Sequence, residues 1–163
     1  MVLDQFKPRI AKILHPGVDP DSALARLSTS QLPNYDWLPK FIGAWVTPNR
    51  QLACLREYIL GIPLNIYCDQ KPLEHRLKIF EKLTNQLEDL HNQGIVHGNL
   101  SWANLLVRND QVLFLDCNLE EISKGVSKSP EEDWQMVQSH YQRLCLPTVL
   151  WGQDSTQPTP LDF

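Results

Sequence analysis

Three side chains in the second half of this 163-residue sequence have types and spacing suited to chemistry: Asn99, Asn104 and Asp116. They lie in the stretch Ile95 to Asn118. It reads Ile-Val-His-Gly-Asn-Leu-Ser-Trp-Ala-Asn-Leu-Leu-Val, then a polar turn at Arg108-Asn109-Asp110, then Val-Leu-Phe-Leu-Asp-Cys-Asn. The pattern predicts a tight polar loop, a short apolar strand, a turn and a second apolar strand ending in Asp116, forming a hairpin buried on at least one face. The two amides and the carboxylate fall at strand ends, which converges polar groups on one point. Carboxylate and amide oxygens plus water are the donors that Mg²⁺ favours, so Asn104 and Asp116 can hold a divalent ion. A purely structural reading stands beside this one. Asn99 and Asn104 can hold a loop through its backbone, as Asn commonly does in turns, and Asp116 can cap a strand end.

The spacing resembles that of the protein-kinase-like superfamily, in which a His-x-Asp-x-x-x-x-Asn loop is followed by a hairpin and an Asp-Phe-Gly-like metal ligand. His97 matches the loop His, a structural position. Asn99 stands where the catalytic Asp belongs, and Asn104 stands where the metal-binding Asn belongs. Asp116-Cys117-Asn118 occupies the Asp-Phe-Gly slot. The His-Gly variant is more similar to the aminoglycoside phosphotransferases, the lipopolysaccharide kinases and the small atypical kinases than to the eukaryotic regulatory kinases. The resemblance implies a degenerate, truncated kinase-like domain with ATP and Mg²⁺ as its cofactors, bound weakly or not at all. A carboxylate can accept the substrate proton; the amide of Asn99 cannot at neutral pH. General-base contributions are about 10²–10⁴-fold, so the exchange is severe without being absolute.

The flanks supply the elements that must position these groups. Phe6 to Leu14 predicts a first strand starting after Pro8 and stopped by His15-Pro16-Gly17. Within it, Ile-Ala-Lys-Ile resembles the strand whose Lys holds the nucleotide phosphates, which makes Lys12 that Lys; an exposed edge-strand Lys is the alternative. No glycine-rich phosphate loop precedes Lys12, and no Gly-x-Gly occurs anywhere. Asp19 to Gln31 predicts a helix with Asp19 and Asp21 as capping residues. That helix carries no Glu to pair with Lys12. Trp37 to Val46 and Leu52 to Ile59 predict two strands joined by a turn at Thr47 to Arg50. Glu57-Tyr-Ile-Leu-Gly-Ile-Pro-Leu64 resembles the hinge of aminoglycoside-phosphotransferase-like kinases, which places Glu57, Tyr58, Ile59 and Leu60 against an adenine; an ordinary strand-to-turn exit accounts for the same residues.

Pro72 to Asn92 is the clearest helix, with Leu73, Leu77, Phe80, Leu83 or Thr84, Leu87 and Leu90 at three-and-four spacing and Gly94 as terminator. His91, near its end, is expected to pack or cap. Glu131 to Leu144 predicts a last helix with Trp134, Val137, Tyr141 and Leu144 as its apolar stripe. Asp133 in its first turn matches the kinase Asp that braces the catalytic-loop backbone; favourable charge at a helix N-terminus explains it equally well.

Composition bounds the rest. Hydrophobic content of 42% and charged content of 21% are ordinary globular values, and the length suits one domain with a real core. The net charge of −4 argues against a nucleic-acid binder, although a local basic patch stays open. No run is long enough to span a membrane, and the N-terminus lacks the features of a signal peptide, which together favour a cytoplasmic protein. Four scattered cysteines without a Cys-x-x-Cys pair read as buried thiols.

The sequence therefore predicts an α+β fold, a minimal kinase-like domain over residues 1–151. It has a reduced antiparallel-sheet N-lobe to about residue 60, a hinge at 57–64, a small mainly helical C-lobe and a flexible tail at 152–163. Three functions remain in play: a pseudokinase serving as a binding or regulatory module with a protein partner, an active minimal ATP-dependent phosphotransferase, and an interaction scaffold without nucleotide. Oligomeric state is left open.

Overall fold

A computed structural model describes residues 8–14, 19–29, 33–117 and 128–146. The His15-Pro16-Gly17 stop, Gln31, Asn118 and the tail at 152–163 lie outside the described residues.

Two small antiparallel sheets carry the fold. The first takes β1 (Arg9–Ile13), β2 (Phe41–Val46) and β3 (Leu52–Glu57) in the order β1-β3-β2. Helix α1 (Pro20–Thr29) crosses between β1 and β2 and packs Ala23 and Leu27 against Leu14, Leu52 and Cys54. Asp19 accepts the Ser22 backbone N–H at 3.0 Å, the capping role expected of an Asp before a helix. The second sheet is β4 (Ile62–Pro63), β5 (Leu105–Arg108) and β6 (Gln111–Phe114), in that order. Asn109 and Asp110 join β5 to β6 with φ of 51° and 59°, the two positive values that a two-residue hairpin turn needs to match strand twist.

The larger core surrounds the second sheet. Helices α2 (Leu64–Asp69), α3 (Leu73–Asn92) and α4 (Pro130–Cys145) bury Leu64, Leu83, Leu87, Leu90 and Val137 against Leu105, Val107, Leu113 and Phe114. Each such side chain stabilises the fold by about 1.5–3 kcal/mol on burial. Helix α3 ends as expected at Gly94, whose φ of 72° lets its N–H and that of Ile95 return to the carbonyls of His91 and Leu90.

Several local expectations differ from the structure. Trp37 to Lys40 is not strand. Pro39 has no N–H for a ladder, and the Trp37 carbonyl instead accepts the Phe114 N–H at 3.0 Å. The Trp37 ring is buried in the larger core, stacked on Tyr35 and edge-on to Phe114. This segment therefore straps the first sheet to the second. Helix α2 carries no long periodic pattern and was not expected. On α3, Leu73 and Leu77 are exposed while Ile79 is buried. Near the N-terminal end of α3, the Arg76 guanidinium bonds the carbonyls of Lys71 and Leu144 and so satisfies the C-terminal end of α4.

Candidate functional site

The loop before β5 is held from below by Asp133, which is almost fully buried on the first turn of α4. Its carboxylate accepts the His97 N–H at 2.7 Å and the Gly98 N–H at 2.9 Å, and His91 Nε2 lies 3.0 Å away. Gly98 has a φ of 75°, and this left-handed backbone turns two successive N–H groups toward one carboxylate. The position therefore needs glycine. Three groups on Asp133 far exceed what a helix N-terminus alone would supply. His91, expected as packing, braces Asp133 from α3 and sets its ring edge-on to Trp134.

Within the loop, the Asn104 side chain acts on the backbone of Asn99. Asn104 Nδ2 donates to the Asn99 carbonyl at 2.9 Å, and the Asn104 carbonyl accepts the Leu115 N–H at 2.8 Å. The second bond seats the end of the loop's one-turn helix (Trp102–Asn104) beside the residue that precedes Asp116. The Asn99 N–H donates to His97 Nδ1 at 3.2 Å, which leaves the imidazole proton on Nε2. From the other side, His140 donates from Nε2 to the Leu100 carbonyl at 2.6 Å. The buried face of α4 accordingly adds Asp133 and His140 to the expected Val137 and Leu144, with Tyr141 packed beside them, while Trp134 is exposed. Hydrogen bonding of buried loop backbone outweighs the placement of one amphipathic aromatic ring.

His97 is fully buried, and burial pushes its pKa down to about 4 from the usual 6.5, against the pull of Asp133 and Asp116. A histidine whose folded pKa is depressed contributes stability that is fully present above the unfolded pKa and is lost as pH falls toward the folded one. Urea midpoints measured from pH 7 to pH 4 should therefore fall, with a loss of about 3 kcal/mol at the acid end. His97→Gln should flatten that slope. A smaller slope should remain from His140, whose pKa burial also lowers.

Asp116 projects from the end of β6 with a φ of 55°, a left-handed value that Asp tolerates better than most residues. Its side chain is 9% exposed and meets two cations from the first sheet. Lys12 Nζ lies 2.6 Å from Oδ2, and Arg56 Nε lies 3.1 Å from Oδ1. Lys12 stands opposite Cys54 in the β1–β3 register, and Arg56 is two residues farther along β3. Strand periodicity puts all three on one face, which looks across to the loop. The Arg56 Nε–H is not aimed at the oxygen, so both Nε and Oδ1 lack a directed hydrogen bond and the contact is Coulombic. Sequence reasoning passed over Arg56. The available signal was an Arg at an inward position of a half-buried strand, immediately before Glu57. Cys54 and Cys117 also line this cavity; burial raises their thiols to about 11 and about 12, so both are neutral packing groups. All four cysteines are buried and free.

The cavity bounded by Lys12, Arg56, Asp116, Leu38 and Phe41 measures about 40 Å³, room for about one water and not for a purine. The hinge residues stand apart from this trio. The N–H groups of Glu57 and Tyr58 already donate to the Lys40 and Pro8 carbonyls, and Ile59 is buried in the core. Leu60 is largely exposed.

A divalent ion does not fit Asp116 as it stands. Both carboxylate oxygens face cations, and among the described residues no cluster of three His, Cys, Asp or Glu side chains exists to hold a metal. Unit charges 4 Å apart interact by about 4 kcal/mol at an effective dielectric of 20. A dication sharing one carboxylate with two monocations therefore meets a repulsion comparable with its attraction.

Among the described residues no helix is long and apolar enough to cross a membrane. No family model matches the chain. Over 77 residues it is 36% identical to the KEOPS complex subunit Bud32 of Pyrococcus abyssi, a match covering 47% of this chain and 35% of that relative. The chain thus matches about a third of that protein's length. This partial likeness and the α+β architecture, with its small antiparallel sheets and mainly helical second half, agree: the chain has a minimal kinase-like fold.

Proposed function

We propose that this chain is a kinase-like binding module that works with a protein partner and transfers phosphate slowly or not at all. The observation that carries the reading is the loop itself. Asp133, braced by His91, holds the N–H groups of His97 and Gly98, and His140 holds the Leu100 carbonyl, yet the side chain at the position of the proton acceptor is Asn99. A loop kept this well ordered around an amide suits recognition better than general-base chemistry. Lys12 is the residue with which a nucleotide's phosphates would interact, and Glu57 to Leu60 would border its base. Because the cavity is small, a nucleotide would be enclosed only if the two sheets parted, which would weaken the apparent affinity. That same closure favours a second reading, a scaffold that binds no nucleotide.

The partner is supported by two observations. The matched relative is by name a subunit of a complex. The chain also exposes large apolar side chains on its first sheet and hinge, including Ile13, Phe41, Trp45, Leu60 and Ile62.

Phosphate release from radiolabelled ATP tests the catalytic part. The wild-type chain should turn over no faster than an Asp116→Ala control, and a rate tenfold above that control would sink the proposal. Thermal shift with millimolar ATP separates the two binding readings, since the scaffold shows no shift.

A further inference from the structure

We infer that Arg56 is the resident counter-cation of Asp116: its guanidinium takes the place on the carboxylate that a divalent ion would occupy, so the site excludes metal and any nucleoside triphosphate binds without it. The inference deepens the nucleotide-binding reading above, and one arm of its test is independent of that reading.

Four observations carry it. Arg56 Nε sits 3.1 Å from Oδ1 of a carboxylate that is nine-tenths buried, while Lys12 takes Oδ2 at 2.6 Å. The guanidinium cannot lose its proton, so the counter-charge is permanent at any working pH. Arg56 is itself mostly buried, with a side-chain exposure of 16%, and its Nη1 leans on the Glu57 carbonyl, so it is held in the cleft rather than swinging into solvent. Finally, the trio sums to one net positive charge, and the Arg56 Nε–H has no directed partner. A buried donor without a partner, on the positive side of a small cavity, suits an anionic oxygen better than a hydrated dication.

The same arrangement answers a question posed by α1. That helix carries no Glu to pair with Lys12. With Asp116 pairing both cations instead, the two sheets are joined through one carboxylate. Removing Arg56 leaves Asp116 paired to Lys12 alone, a half-exposed ammonium that a dication can displace at less cost.

The test compares the wild-type chain with Arg56→Met, Arg56→Gln and Arg56→Lys, each checked for folding by urea unfolding. ATP affinity is measured by calorimetry in EDTA and in Mg²⁺. The wild type and Arg56→Lys, which keeps the charge, should bind with affinities that agree within twofold between the two conditions. Arg56→Met or Arg56→Gln should bind at least tenfold more tightly with Mg²⁺. The second arm uses Mn²⁺ alone, followed by the loss of its free-ion paramagnetic resonance signal. Arg56→Met should take up Mn²⁺ at least tenfold more tightly than the wild type, and the added change Asp116→Asn should abolish the gain. If Arg56→Met does not fold, Arg56→Gln serves in both arms. Mg²⁺ strengthening wild-type ATP binding tenfold, or wild-type Mn²⁺ affinity equal to that of the Arg56 variants, overturns the inference. If ATP binds under neither condition, the nucleotide reading fails and the Mn²⁺ arm alone decides the role of Arg56.

Discussion

Replacing Asp133 with Ala should lower the unfolding free energy by about 3–5 kcal/mol, the cost of leaving the partners of a buried charge uncompensated. Three groups lose their acceptor together: the N–H of His97, the N–H of Gly98 and the ring of His91. The His97 N–H cannot turn to water instead, because His97 is fully buried, and the Asp133 carboxylate is itself almost fully buried. For a chain of this size each kcal/mol is about 2–4 °C in Tm, so a drop of about 6–20 °C is expected in a thermal melt. Asp133→Asn separates charge from shape. It keeps one acceptor oxygen but turns an NH₂ toward the second backbone donor, and should recover only a minor part of the loss. If Asp133 served α4 simply as a favourable charge at a helix N-terminus, either change would cost about 0.3–1 kcal/mol, because such interactions are worth no more at exposed sites. Urea unfolding distinguishes the two cases directly.

Trp37→Ala should destabilise the chain by about 3–5 kcal/mol, the usual cost of emptying a large aromatic site in a core. The ring is 8% exposed and lies between Tyr35 and Phe114, with ring centroids at 4.4 and 5.2 Å. It belongs to the core of the second sheet although it sits in the connection leading into the first. Its loss should therefore loosen the join between the sheets as well as the core. The accompanying signature is hydrogen exchange: amides of β1 and β2 should exchange faster in the variant than global destabilisation alone predicts. Trp37→Phe keeps most of the buried area and should cost less than half as much. Uniform acceleration across both sheets would instead show that Trp37 contributes to a single cooperative unit.

Much of the fold was legible in the residues. Helix α3 and the β5–β6 hairpin follow from local pattern, because a long amphipathic stripe and two apolar runs around Asn109-Asp110 have few alternatives. The turn needs two positive φ values, and Asn and Asp are the residues that reach them at least cost after Gly. Trp37 to Lys40 departs from the expected strand because Pro39 removes a ladder donor and the Trp37 carbonyl pairs across to β6. The stripe expected on α4 packs on the core at Val137, Tyr141 and Leu144 and departs at Trp134 for a different reason. Periodicity ranks residues by hydrophobicity, yet the buried face of this helix is set by Asp133 and His140, which serve loop backbone that no helix pattern can register.

The candidate site divides along the same line. Residue type and spacing in one continuous stretch determined the loop, the proximity of Asn99 to Asn104 and the placement of Asp116 at a strand end, because neighbours in sequence and in a hairpin meet whatever surrounds them. The absence of a carboxylate at Asn99 and of a Glu on α1 was likewise readable without coordinates. Only the tertiary structure decided what Asp116 meets. Lys12 and Arg56 reach it from a separate sheet, and a long-range ion pair leaves no local pattern in the chain. That pairing changes the chemistry of the site: a carboxylate available to a metal ion in the sequence is, in the folded chain, already neutralised by two cations of its own.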